Sequence, residues 1–268
     1  VRAQEPLTPA ETRTAFLKML DRPPVDLDPK VKESIRDGKG WVLERLDFAS
    51  EKHPDGSFER VPTLIMRPEN PQGRRPAVLV LHGTGGTKEG MRSWLDALAS
   101  RGIIGVAIDA RFHGERSGGA KGAEAYVAAI TRAWKSKPPE PQTHPFYYDT
   151  CWDIWRTADY LATRPDVDPE RLGIVGTSMG GIQTWLAAAV DERYKVVAPL
   201  IGVQSFRWSL ENENWQGRAK TIAAAHEAAA RSLGKTKVDA EVCRVLWNKV
   251  IPGMLDRFDC PNMLRLFA

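Results

Sequence analysis

The first place in this chain where residue types and spacing could do covalent chemistry is a serine between two glycines, in Gly176-Thr177-Ser178-Met179-Gly180-Gly181. Upstream lies Arg171-Leu172-Gly173-Ile174-Val175, a short apolar run with strand character. Downstream lies Ile182-Gln183-Thr184-Trp185-Leu186-Ala187-Ala188-Ala189-Val190, rich in helix formers. A serine on a strand-to-helix turn is the nucleophile-elbow arrangement. The turn is tight enough to strain the backbone at the nucleophile. Side chains two residues before and after it would collide with neighbouring backbone, so glycine is expected at 176 and 180. The elbow lifts the Ser178 hydroxyl clear of a sheet, and the following helix aims its first N–H groups at a developing oxyanion. A phosphate-binding or plain tight turn is the bland alternative; the strand before and the helix after favour the elbow.

An acyl-transfer serine needs a base, an acid that orients it, and donors for the oxyanion. One donor is the backbone N–H of Met179. The other is expected from His82-Gly83-Thr84-Gly85-Gly86, the loop after an apolar strand, with Thr84 the first choice and Gly85 beside it, where glycine lets backbone approach a substrate closely. His82 is expected to hold this loop by hydrogen bonds. His113 lies in a glycine-bearing loop beside Arg111 and Arg116. His82, His113 and Arg111 are therefore candidates for lining the site. His53 and His144 fall in turn-rich segments. No histidine pair has metal-ligand spacing and Gly83-Thr84-Gly85-Gly86 lacks the lysine of a phosphate loop, so neither metal nor cofactor is expected.

The elements that must position these groups follow from patterning. Thr8-Pro9-Ala10-Glu11 reads as a helix start, with Phe16, Leu17 and Leu20 as an apolar stripe and Arg22-Pro23-Pro24 as the stop. Residues 1–40 are expected as an N-terminal helical extension and 41–268 as the main domain. Segments 41–49 and 60–66, joined by Pro54-Asp55-Gly56-Ser57, read as an antiparallel pair at a sheet edge. Ala77-Val78-Leu79-Val80-Leu81 and Ile103-Ile104-Gly105-Val106-Ala107-Ile108 are continuously apolar, as strands buried on both faces should be. Helices are predicted over 89–100, 123–134 and 148–163, and Asp166-Val167-Asp168-Pro169 as a turn into the elbow strand. Residues 196–203 are a last strand, with Pro199 a mild objection. Residues 204–255 read as largely helical. Alternating strands and helices imply an α/β fold, a mostly parallel sheet covered by helices on both faces, with functional groups at the carboxyl ends of its strands. The loops after Leu81, Ile108 and Val175 converge there.

Composition bounds the rest. The 268 residues are 42% hydrophobic and 27% charged with a formal charge of +4, an ordinary globular balance. Basic residues are interleaved with acidic ones, so no nucleic-acid partner is expected, and no apolar run approaches a membrane span. Cys151, Cys243 and Cys260 are too scattered for a metal cluster or a disulfide framework. The N-terminal Val1-Arg2-Ala3-Gln4-Glu5 fits a remnant of signal-peptide cleavage as well as a plain boundary, and the expectation leans toward export without fixing the compartment.

Four motifs together resemble the α/β-hydrolase superfamily, and within it the dienelactone-hydrolase-like and acetyl-xylan-esterase-like carboxylesterases of bacteria. They are His82-Gly83-Thr84-Gly85-Gly86, Asp109-Ala110-Arg111-Phe112-His113-Gly114, Asp166-Val167-Asp168-Pro169-Glu170-Arg171-Leu172 and the elbow, within a similarity running from about residue 61 to 203. Dienelactone hydrolases proper carry cysteine at the nucleophile; Ser178 points to ordinary serine ester hydrolysis. The resemblance implies an acyl-enzyme on Ser178, a short-acyl ester substrate with an acylated sugar among the candidates, and a cap-like insertion at 204–255 whose Trp208, Trp215 and Trp247 would present apolar walls. It also implies the chain order Ser, then Asp or Glu, then His. After Ser178 the only histidine is His226, mid-helix in an alanine-rich segment and expected as a surface or cap-helix histidine. The resemblance therefore places the acid and base beyond Ala268, with a C-terminally incomplete fold and little or no activity for residues 1–268 alone. Two other readings stay open: a serine peptidase of the prolyl-oligopeptidase type, and a non-catalytic scaffold of the same fold. The sequence leaves acyl and alcohol specificity and oligomeric state open.

Overall fold

The computed structural model describes residues 7–36, 38–70 and 72–267; the expectation drawn from residues 1–5 lies outside them. Helix α1 (Pro9–Leu20) starts where the capping pattern predicts. The Thr8 side chain accepts the Glu11 N–H, and the Glu11 carboxylate accepts the Thr8 N–H in return. Phe16 is buried, its ring edge-on to Tyr148 at 5.3 Å and to Phe258 at 5.1 Å. Leu17, expected in the same stripe, faces out at 38% exposure.

The rest of the expected helical extension departs from the sequence reading. Residues Lys30–Arg36 form strand β1, antiparallel to β2 (Trp41–Lys52), so the main sheet reaches back to Lys30. Every residue of β1 is exposed, and its charged side chains suit an outermost strand. Strand β2 pairs antiparallel with β3 (Phe58–Pro68) as predicted, but β1 and not this pair forms the edge.

The parallel part of the sheet is β4 (Arg75–Leu81), β5 (Ile104–Ile108), β6 (Val167–Thr177) and β7 (Tyr194–Leu200), in the overall order β1-β2-β3-β5-β4-β6-β7. The segment 166–169, expected as a turn, enters β6 at Val167, where a register shift separates it from the regular pairing with β4. Pro199 is accommodated opposite Gly176 at the outer strand of the described sheet, where a missing donor costs least.

Helices cover both faces unequally. A 3-10 turn (Lys88–Met91) and α2 (Arg92–Ala99) pack Leu95 and Ala99 onto one face, against Leu64, Val80, Ala107 and Val175. The alternate residues Leu79, Val106, Ile108 and Ile174 enter a much larger core on the other face. There lie α3 (Glu124–Lys135), α4 (Tyr148–Thr163) and α5 (Met179–Ala188), followed by α6 (Phe206–Glu211), α7 (Gln216–Thr221), α8 (Ala223–Ser232), α9 (Ala240–Val250) and α10 (Cys260–Leu264). This two-sided, mostly parallel sheet is the architecture expected from the strand pattern.

Candidate active site

Strand β6 ends and α5 begins at Ser178, whose φ of 56° and ψ of −112° lie outside the regions open to an unstrained serine. The neighbours make that conformation possible. A Cβ on Gly176 would stand 2.3 Å from the Gly180 carbonyl oxygen, and one on Gly180 would stand 2.6 Å from the Leu81 carbonyl oxygen. The turn is pinned from β7 by the Ser178 N–H donating to Leu200 O at 2.8 Å. Gly202 completes the cradle: a Cβ there would meet the Gly181 carbonyl carbon at 2.6 Å. Sequence reasoning did not single out Gly202, since its partner lies across the sheet.

Ser178 is solvent-exposed and lines a cavity of about 300 Å³ together with Thr84, Tyr147, Met179, Ile182, Ile201, Gln204, Asn214, Gly217, Arg218 and Thr221. The loop after β4 therefore reaches the serine: a Cβ on Gly83 would lie 3.6 Å from Ser178 Cβ. Thr84 and Met179 share the cavity as expected. Gly85 does not. It takes φ of 77° and turns away toward Gly122 and Ala123, serving the bend after Thr84. A larger groove of about 740 Å³ between α3 and α8 carries no nucleophile.

The three site-lining candidates His82, His113 and Arg111 sit behind the cavity rather than in it. His82 is buried with both ring nitrogens engaged, Nδ1 with Gly83 O at 2.8 Å and Nε2 accepting the Ala110 N–H at 3.1 Å. Those bonds fix a neutral tautomer that ties the loops after β4 and β5 together, and burial pushes its pKa down. His113 is fully buried, with Nδ1 against Arg111 O at 2.9 Å and its ring 4.8 Å from that of Tyr126. Burial lowers its pKa to about 4. Arg111 forks onto Asp153 at 3.0 and 3.1 Å and reaches Glu51 at 2.7 Å. All three are too deeply packed to meet a substrate; they hold the loop after β5.

That loop is anchored a second way. Asp109, wholly buried, accepts from the backbone N–H and Nζ of Lys88 at 2.8 and 2.9 Å and from the Glu115 N–H at 3.1 Å. Gly114, at φ of 53°, is obligatory there, because a Cβ would fall 2.3 Å from the Asp109 carboxylate.

None of the five histidines lines the cavity, and neither does any carboxylate among the described residues. His226 is fully buried in α8, where its Nε2 accepts the Trp247 indole N–H at 3.0 Å. Its pKa falls to about 4 through burial. Of the surface or cap-helix histidine expected, the surface position is wrong: His226 is a buried histidine on a helix of the 204–255 segment. The three tryptophans expected as apolar walls are also elsewhere. Trp247 is buried beneath His226, Trp208 is 52% exposed, and Trp215 bonds Glu213 away from the serine. What 204–255 brings to the cavity is polar: Gln204, Asn214, Arg218 and Thr221.

Residues 46–207 match the family described as Acetyl xylan esterase (AXE1). The chain is 28% identical over 208 residues to "Putative hydrolase YtaP" of Bacillus subtilis (strain 168), covering 71% of this chain and 63% of that protein. It is 28% identical over 194 residues to "Uncharacterized protein YcjY" of Escherichia coli (strain K12), covering 72% of this chain and 55% of that one. The chain thus matches less than two thirds of the length of either curated relative. Among solved structures it resembles Acetyl Xylan Esterase 1 from Thermoanaerobacterium sp. JW/SL YS485, with a TM-score of 0.64 and 21% identity over 96% of this chain and 74% of that one. At that identity the likeness speaks for the fold.

Proposed function

The chain belongs to the acetyl xylan esterase (AXE1) family, and from that premise we propose that it carries the nucleophile and oxyanion site of a carbohydrate esterase acting on short-acyl esters. Ser178 Oγ attacks the ester carbonyl carbon. The carbonyl oxygen becomes an oxyanion held by the backbone N–H groups of Met179 and Thr84, with Gly176 and Gly180 allowing the turn that presents the serine. Collapse breaks the bond to the alkoxy oxygen, which leaves as the alcohol with the proton that Ser178 gives up; water then adds to the acyl carbon, releasing the carboxylic acid and returning a proton to Ser178 Oγ. Residues 204–255 act as a cap over this site, and an acylated sugar is the alcohol portion we favour.

One observation carries the reading: an exposed serine in a forced positive-φ conformation, at the start of a helix and in one cavity with Thr84 and Met179. A second reading, a binding scaffold of the same fold, draws on the lack of histidine or carboxylate among the described residues lining that cavity. Oxyanion stabilisation alone still supports roughly 10³–10⁴-fold rate enhancement over water, so the two readings differ measurably. A fluorophosphonate probe should label Ser178 and no other serine. Ser178→Ala should abolish labelling and bring any turnover of p-nitrophenyl acetate above that oxyanion-only level down to it, while leaving the thermal midpoint in place. Turnover above that level that survives the substitution overturns the nucleophile. A protein that neither labels nor turns over any ester is the scaffold.

A further inference from the structure

Arg218 on α7 lines the Ser178 cavity, and it lacks the carboxylate partner that most of the enclosed arginines have. Arg111, Arg116, Arg156, Arg164 and Arg193 each carry a carboxylate partner. Arg218 is half-buried and held only by neutral groups. Its Nη1 donates to the Tyr147 hydroxyl at 3.2 Å, and its Nη2 donates to Gln204 Oε1 at 2.8 Å. Its guanidinium lies 3.8 Å from the centre of the Phe206 ring, and its Nε is buried without a partner. No carboxylate among the described residues lines the cavity to balance the charge.

These contacts fix the fork without neutralising it. A guanidinium has five N–H donors, of which two are spent on neutral acceptors here. Tyr147 accepts from Arg218, so its own O–H remains free to donate to a further acceptor. It is buried, lines the same cavity, and is held at φ of 73°, a strained value for a tyrosine. A rigid, partly desolvated cation beside a second donor is arranged for an anionic oxygen pair. It gains most from a planar carboxylate, which a guanidinium meets in two parallel bonds.

We propose that the cavity beside Ser178 selects carbohydrate esters whose sugar carries a carboxylate, uronic acids in chemical class, and that Arg218 with the Tyr147 hydroxyl is the site that reads it. The assignment rests on the esterase reading for where the ester bond lies. The carboxylate is placed on the alcohol portion because the cavity of about 300 Å³ leaves room for only a short acyl group beside it.

Binding can be measured without turnover. Titration calorimetry of the purified protein with D-glucuronate and with D-glucose should show the uronate bound at least tenfold more tightly. Arg218→Ala should bring the two within about twofold. Arg218→Lys, which keeps the charge and loses the fork, should fall between. The preference should also shrink as salt rises in the unsubstituted protein, a readout that needs no variant to fold. Equal binding of the two sugars, no measurable uronate binding, or a preference that survives Arg218→Ala overturns the assignment. In the Ser178→Ala protein the preference should persist. Absence of probe labelling at Ser178 in the unsubstituted protein, with the uronate preference intact, sinks the esterase reading, whereas labelling without the preference sinks this inference. Between hydrolysed substrates, an acetylated uronate should be favoured over a neutral acetylated sugar. A preference instead for a hemisuccinate ester of a neutral alcohol would contradict placement of the carboxylate on the sugar.

Discussion

Ser178 keeps its φ of 56° because the residues around it leave the chain no other path. Gly176, Gly180, Gly181 and Gly202 stand where any Cβ would penetrate neighbouring backbone at 2.3 to 2.6 Å. Backbone cannot rotate aside as a flexible side chain can. Gly176→Ala should therefore cost about 3 kcal/mol or more of stability, at the upper end of overpacking, and should slow probe labelling of Ser178. Gly90→Ala is the control: a Cβ there meets nothing within 4 Å, and the change should stay within about 0.5 kcal/mol. Urea midpoints of the two variants decide, and near-native stability for Gly176→Ala would show that the turn relaxes. At this scale the elbow was legible in the sequence because its constraint is local, spanning the five residues from Gly176 to Gly180. Arg218, Gln204 and Tyr147 were not. Each reaches the cavity from a different element, and nothing in the residues around Arg218 marks it as lacking a carboxylate.

The elements that carry the site were legible to the degree that they were buried. Strand β5 and the carboxyl-terminal stretches 77–81 of β4 and 172–176 of β6 are continuous apolar runs because helices cover both of their faces. Strand β1 carries no such run, since it pairs only with β2 and every one of its residues is exposed, so they need only be extended and charged. Residues 204–255 were legible as helices but not in their orientation. Tryptophans drew attention to apolar walls, yet helical packing took Trp247 into the core and left Gln204, Asn214, Arg218 and Thr221 lining the cavity with Ser178. Helix α7 thereby bounds a cavity of about 300 Å³, at the small end for ligand sites. An acetyl group and part of a sugar fill such a space. Comparing kcat/KM for acetyl and octanoyl esters of one alcohol should show a steady fall with chain length, at no more than about 1–3 kcal/mol per methylene. A rise toward octanoyl would mean that α7 moves aside for substrate. It would count against the short-acyl reading while leaving the nucleophile untouched.

Across the whole molecule, buried histidines couple stability to pH. His113 and His226 are fully buried in the major core or beside it, and burial holds each near a pKa of about 4, against 6.5 for an exposed imidazole. His82 and His144 are shifted in the same direction, also chiefly by burial. A depressed folded-state pKa means that the unfolded chain binds protons which the native state refuses. Stability is therefore complete above about pH 6.5 and is lost as pH falls toward 4. Each of His113 and His226 is worth up to about 3 kcal/mol over that window. The ion-paired carboxylates Glu59 and Asp153, whose pKa values lie below normal despite burial because Arg116 and Arg111 face them, lose stability at lower pH still. The histidine window thus opens first and can be seen alone. Denaturant unfolding at pH 7.5, 6.5, 5.5 and 4.5 should show stability falling throughout, with the steepest slope below pH 6.5. His226→Gln offers its amide oxygen to the Trp247 indole in place of Nε2 and removes one titrating group, so whatever it does to absolute stability, it should flatten that slope by roughly 1 kcal/mol per pH unit. An unchanged slope would mean that His226 is reached by protons in the folded state, and that the core around α8 and α9 opens more readily than its packing implies.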